Sequence, residues 1–268
     1  MPQLRHLAPR RLLFRLLLPV AALLTLTGYF LPWIEHPAAG LVVLGLDLAE
    51  LVKFLYPVQQ GDIRLWREGF YLPLIAASLS LSLNAFRRDP PHPDESRAAV
   101  QAEDAAQRLE AYPWPVRVVL LLLAAIAALN LLPPAWTPHL LLSPDFLLQS
   151  VALFFCLLFA AASPFAALIV TPFSLLEALG MSPASAPRNG RAWQTARRLA
   201  LLRATTLAAL AAAGVYFPLA QFRWVLPTLT DLYAQSLDTG WGPALLFVGQ
   251  AGLLAHSLTD LTIAARAR

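Results

Sequence analysis

The chain has 268 residues, of which 58% are hydrophobic and 13% charged, with a formal net charge of +4 and a mean hydropathy of +0.59. Soluble domains carry about 25% charged and about 45–50% apolar residues, so an ordinary globular domain is excluded, as are a disordered segment and a coiled coil. The pI near 9.6 does not indicate nucleic acid, because the basic residues sit in short clusters beside apolar runs rather than on one polar face.

The composition predicts an all-α, polytopic integral membrane bundle forming a single domain over residues 1–268, with the lipid bilayer as its first partner and nucleic acid excluded. Nineteen of the twenty basic residues are arginine and Lys53 is the only lysine. With abundant Ala, Leu and Pro, this resembles a high-GC bacterial genome, and the inner (cytoplasmic) membrane is the expected location. No lysine lies in an expected membrane span, so a Schiff-base chromophore is excluded. The single cysteine, Cys156, permits no intrachain disulfide and no cysteine metal site; no cofactor or metal is expected.

A helix crossing the hydrocarbon core needs about 20 mostly apolar residues. The first such run, about 13–33, follows Arg5–Arg15 in the manner of a signal peptide. It continues into Gly28-Tyr29-Phe30-Leu31-Pro32-Trp33 without a small-x-small cleavage site, and so reads as an uncleaved span. Runs at about 70–86, 116–133, 146–170, 199–219 and 243–263 bring the expected spans to six. The second and third are short, requiring tilt or flanking anchors.

Threaded this way, sixteen basic residues fall on one side, among them Arg10, Arg88, Arg198 and Arg266. The other side keeps only Lys53, Arg64, Arg67 and Arg223. The positive-inside rule then places both termini in the cytoplasm. Tryptophan agrees: Trp33, Trp66, Trp136, Trp224 and Trp241 fall at outer ends or loops, and Trp114 and Trp193 at inner ends. Trp33, Trp193 and Trp241, with Arg191, Arg197 and Arg198, are the expected interface anchors.

The first outer loop, 34–69, contains a second apolar stretch, 38–58. Inserting it would put Asp47, Glu50 and Lys53 in hydrocarbon, at roughly 2.5–3.5 kcal/mol for each Asp or Lys, and would reverse every later loop. At 100° per residue those three occupy one arc, opposite Leu48, Leu51, Val52 and Leu55. An interfacial amphipathic helix lidding the bundle is expected, with Asp47 as its cap and Glu50 at capping-box spacing; a re-entrant element is the other reading.

The cytoplasmic loop 87–115 opens on a proline-rich stretch and then favours a polar helix over 95–111. The second cytoplasmic loop, 171–198, carries a short apolar helix ended by Gly180 and then a basic run. Residues 220–241 read as a partly helical outer loop.

Polar groups inside a span are expensive and carry a functional hypothesis. The sixth span supplies Gln250, His256 and Asp260. His256 and Asp260, four apart, share a face, and Gly252 on the same ridge permits close approach of a neighbour. A carboxylate beside an imidazole can relay protons; the alternative is that Asp260 merely holds His256 or an arginine. Ser78, Ser82, Asn84, Asn130 and Gln149 are expected to satisfy backbone carbonyls or neighbouring helices. Ala204, Ala208 and Ala212 form a small-residue ridge that predicts tight packing, and Pro164 is expected to kink the fourth span.

The sequence has no G-x-S-x-G elbow, no H-E-x-x-H helix and no phosphate-binding loop. The expected function is non-catalytic: a small permease, or the membrane subunit of a transport or envelope assembly with protein partner subunits. A membrane-embedded enzyme acting on a lipid-linked substrate and a purely structural assembly factor are the competing readings. The threading has a direct test. In a Cys156→Ala background, a cysteine replacing Asp62 should react with a membrane-impermeant thiol reagent in intact cells, and one replacing Arg191 only after permeabilisation; the reverse pattern refutes the topology.

Overall fold

The computed structural model describes residues 4–36, 41–85, 112–132, 138–144, 146–169, 191–234 and 236–266. The chain is mostly helical. Helix α1 (Leu4–Phe30) leads into strands β1 (Pro32–His36) and β2 (Leu41–Leu44), helix α2 (Gly45–Leu51) and a 3-10 turn at Val52–Phe54. Helix α3 (Tyr56–Gln59) and a second 3-10 turn, Arg67–Tyr71, precede α4 (Leu72–Ala85) and α5 (Trp114–Leu129). Then follow α6 (Pro138–Leu141), α7 (Leu147–Ile169), α8 (Arg191–Tyr233), β3 (Asp238–Thr239) and α9 (Gly242–Arg266). The expected helices at 95–111 and 171–180 lie outside the described residues, as does Trp136.

Two helices, Ala200–Tyr233 within α8 and Gly242–Ala265 within α9, are long and apolar enough to cross a membrane, in keeping with membrane association. Shorter apolar helices run over Leu16–Phe30, Trp114–Leu129 and Leu147–Ser163. The fourteen-residue α4 is only about 21 Å long at 1.5 Å per residue. Its position accounts for its composition: α4 packs against α1, α5, α7, α8 and α9, so it is buried on nearly every side. Alanine and serine at Ala76, Ala77, Ser78, Ser80 and Ser82 let five neighbours approach one axis.

Helices α1 and α9 run antiparallel in the closest contact of the bundle. A Cβ added to Gly28 would stand 2.3 Å from the Leu246 nitrogen, and one on Gly249 would stand 2.4 Å from the Thr25 nitrogen. One on Gly252 would come within 2.7 Å of the Ala21 Cβ. The close approach expected at Gly252 is thus made by α1. On α8 the buried small residues are Ala204, Ala208 and Ala211, whereas Ala212 is exposed. The ridge mixes three- and four-residue steps, which keeps it on one face; strict four-residue spacing drifts off it.

The all-α expectation is amended at one end of the bundle. Strands β2, β1 and β3 form a small antiparallel sheet in that order, with Ile34 opposite both Val43 and Thr239. Val42 is exposed and Val43 buried, the alternation of a half-covered strand, so the front of the expected interfacial helix is strand instead. What remains helical is short and broken at Leu55. Its amphipathic plan survives: Leu48, Ala49, Val52 and Leu55 are buried while Asp47 is exposed. Helix α2 begins one turn earlier than its expected cap. Leu44 is the cap residue, and Asp47, at the third helical position, accepts the Leu44 N–H at 3.2 Å.

Residues 220–241, read as a partly helical outer loop, are helical as far as Tyr233, but as an unbroken continuation of α8 through Pro218 and Pro227. Phe222, Val225 and Leu229 extend its buried stripe against the α2 region. Helix α7 likewise runs through Pro164. Overpacking a tight interface costs about 1–3 kcal/mol. Gly249→Val is therefore expected to lower the melting temperature by several degrees, while Ala244→Val, on the exposed side of α9, leaves it unchanged. Equal melting temperatures for the two variants would refute the α1–α9 contact.

Candidate functional site

The three polar residues expected to act together in the last span are divided among three neighbours. Gln250 faces α4 and α8: its Nε2 donates to the Pro73 carbonyl at 3.1 Å, and its Oε1 lies against Gly214, where an added Cβ would stand 2.8 Å away. His256 is buried with its ring stacked on Phe14 of α1, at 4.5 Å between centroids and 9° between planes. Asp260, also buried, pairs with Arg203 of α8 at 3.7 Å. His256 and Asp260 thus share the charged end of the bundle, while Gln250 belongs to a separate group nearer the sheet.

The polar residues of α4 and its neighbours behave as expected. Ser78 Oγ donates to the Ala124 carbonyl of α5 at 2.9 Å, a cross-helix brace. Ser82 and Asn84 return to the carbonyls of Ser78 and Ser80, and Asn130 to that of Ile126. Trp241 and Arg198 are exposed, as anchors require, whereas the side chains of Trp193, Arg191 and Arg197 lie outside the described set. Trp33 corrects its expectation, since it is fully buried and offers no ring to a headgroup. Its indole N–H is bound to the Gly28 carbonyl at 3.0 Å and its ring meets Phe222 edge-on.

A more concentrated polar site surrounds residues 69–73, the entry to α4. Tyr71 donates its phenolic hydrogen to Glu50 of α2 at 3.1 Å, and Glu50 in turn pairs with Lys53. Gln149 of α7 is a hydrogen-bonding neighbour of Tyr71, and Tyr29 of α1 lies within electrostatic reach of both Tyr71 and Asp47. Gln221 of α8 presses on Gly69, where a Cβ would stand 2.2 Å from its Nε2, and Gln250 of α9 reaches Pro73. Five helices therefore each deliver one polar side chain to a single short segment.

Several of those polar atoms make no hydrogen bond within the protein although they are buried. They are Tyr29 Oη, Gln149 Oε1, both polar atoms of Gln221, and Gln250 Oε1. The parent residues are at most 3% exposed. Native interiors pair more than about 90% of such groups, and each orphan costs about 1–3 kcal/mol; Thr25 Oγ1, Ser80 Oγ and Asn84 Oδ1 are unpaired as well, farther along the helices.

The segment over this collar is held by aromatic and ionic contacts. Lys53 and Arg67 both stand over the Phe146 ring, 5.3 and 4.8 Å from its centroid. Trp66 meets Phe217 edge-on at 4.9 Å, and Arg67 pairs with Glu68 at 3.3 Å. The residues expected on the lid, Asp47, Glu50 and Lys53, therefore join this site through Glu50. Sequence reading missed Tyr29, Tyr71 and Gln221 as site members, because the tyrosines lie at the ends of expected spans and Gln221 fell in a segment read as a partly helical outer loop. The available signal was three glutamines near one end of the bundle. Among the described residues there is no cluster of His, Cys, Asp or Glu that could hold a metal ion.

No protein family, curated protein or solved structure matches the chain, so the residues themselves carry the functional argument. Replacing an orphaned buried amide by an apolar side chain of similar shape removes its desolvation penalty. Gln221→Met is thus expected to raise the melting temperature, whereas Tyr71→Phe, which breaks the bond to Glu50, lowers it by an amount equivalent to about 1 kcal/mol. Destabilisation by Gln221→Met would mean that its amide is satisfied and the collar is not a site.

Proposed function

We propose that the chain is a six-pass protein of a bacterial inner membrane, with both termini in the cytoplasm and the sheet end outside, serving as the membrane subunit of a transport or envelope assembly. The six-pass reading is supported by the apolar residues that the bundle leaves uncovered. Leu122 and Ile126 on α5, Phe154 and Leu158 on α7, and Phe247 and Val248 on α9 are each 45–61% exposed. Soluble monomers rarely present contiguous apolar surface beyond a few hundred Å², and lipid is the solvent that suits it. The alternating arginine clusters support the same threading.

The observation that carries the non-catalytic reading is that Gln250, bonded to Pro73 of α4, lies apart from the end of the bundle that His256 and Asp260 share. An embedded acid–base enzyme needs its titratable groups aimed at one reacting centre, and a relay needs them in a chain. Here Gln250 braces α9 against α4, and Asp260 braces it against α8 through Arg203, as the frame of a larger complex would require. A second reading, a small permease, is favoured by the orphaned collar beneath α2, because transporters keep polar groups at a covered site between helices.

Purification of the tagged chain in mild detergent decides between the readings. A membrane subunit should migrate with a stoichiometric partner that survives washing and is lost when the cytoplasmic loops are replaced by neutral linkers. A chain that is monodisperse alone and supports solute uptake in proteoliposomes would overturn the subunit reading in favour of the permease.

A further inference from the structure

Helix α1 carries two faces of opposite character. Ala21, Thr25 and Gly28 meet α9, where small residues bring the two backbones together. At 100° per residue, Leu23, Leu26, Thr27, Phe30 and Leu31 centre on the far side of the helix. Together with Ile126 of α5 they line a crevice of about 370 Å³, within the range of small-molecule sites. Leu26 is buried at its floor, whereas Leu23 and Ile126, 53% and 45% exposed, stand at its open side. Helices α1 and α5 both pack on α4 but barely touch one another, which leaves the space between them.

The crevice is one leaflet long. Leu23 is the midpoint of the expected span 13–33, and Leu31 directly precedes the sheet. The eight residues between them rise about 12 Å, against about 15 Å for half of a hydrocarbon core. Toward the cytoplasmic end Leu18, Ala22 and Leu120 are fully buried in one cluster and do not border the space. No charged side chain lines it, and Thr27 is its one polar residue. A partner's transmembrane helix does not suit this wall: it would run the whole thickness and pack through small residues, whereas the lining is Leu, Ile and Phe. From this length and chemistry we propose that the α1–α5 crevice seats one acyl chain of an outer-leaflet phospholipid, with its ester end beside Leu31 and its methyl end at Leu23. The chain supplies the dispersion contacts that α1 and α5 do not make with each other. The inference rests on the six-pass reading and adds a resident ligand to it.

The test uses the full chain in nanodiscs of phosphatidylethanolamine and phosphatidylglycerol, doped with phosphatidylglycerol carrying a diazirine midway along one acyl chain. After photolysis, labelled residues are located by mass spectrometry. Lipid that merely surrounds the bundle labels residues in proportion to exposure, which Phe154 of α7 and Val248 of α9, 61% and 52% exposed, report. Labelling at Leu23, Thr27 and Ile126 several-fold above those two is expected. Ile126→Trp, which fills the crevice from an exposed position, should abolish labelling at Leu23 and Thr27. Leu122→Trp, exposed on the same helix but outside the crevice, should leave it intact, and melting temperatures confirm that both variants fold. Labelling in proportion to exposure on every helix, or labelling that survives Ile126→Trp, overturns the proposal. A crevice left unlabelled while Phe154 and Val248 react overturns it with the six-pass reading intact; silence at all five positions brings down both.

Discussion

The sheet end of the molecule is organised around one side chain that has almost no room to move. The indole of Trp33 sits between two glycines from distant parts of the chain. A Cβ on Gly45 would stand 2.7 Å from its Nε1, and one on Gly242 would stand 2.4 Å from its Cδ1. Its N–H is fixed on the Gly28 carbonyl at the end of α1, its carbonyl accepts the Gly240 N–H, and its ring abuts Phe222 on α8. The start of α2, the start of α9, the end of α1 and the upper half of α8 are therefore all registered against one ring. A large aromatic buries about 150–250 Å², and a side chain at either glycine would collide with this ring. The sheet follows from this constraint: β1 is the stretch that carries Trp33, and β2 and β3 lead into α2 and α9 at Gly45 and Gly242.

From that fixed point the bundle descends along the α1–α9 seam, where glycine and alanine bring the backbones together at Gly28, Gly249 and Gly252. Close packing is the dominant attraction between helices in lipid, because the hydrocarbon around them removes the hydrophobic incentive to associate. Hydrogen bonds between helices then add modest amounts, about 0.6 kcal/mol on average. Ser78 to Ala124 and Gln250 to Pro73 belong to this class. Unpaired buried polar atoms also occur, both along the helices at Thr25 and Ser80 and around residues 69–73 at Gln221 and Gln250.

The helices and their order were legible from periodicity and length, and the reason is physical. An apolar run of helical length has few alternatives, so α4, α5, α7 and α9 begin and end within a few residues of the runs that mark them. The amphipathic character of residues 48–55 was legible too, since the burial of Leu48, Val52 and Leu55 follows from 100° spacing. The strand at Leu41–Leu44 was not, because four consecutive apolar residues read equally as helix and only pairing with β1 selects strand. The length of α8 was hidden by Pro218 and Pro227, ordinarily stop signals. The collar was hidden for a different reason: its members, residues 29, 149, 221 and 250, are far apart in the chain, and only the fold brings them to Gly69–Pro73.

The unpaired groups differ in what covers them. Those of Thr25 and Ser80 lie within the packed helices. At the sheet end the covering element is a short helix broken at Leu55 and fastened largely by side-chain contacts, with exposed Phe54 and Tyr56 on its outer side. Moving it away would break the Tyr71–Glu50 hydrogen bond and the Lys53 contact with Phe146. It would also uncover Leu48, Ala49, Val52 and Leu55, all buried, at about 1.5–3 kcal/mol for each large apolar side chain, so the segment is a packed part of the core rather than a loose cover.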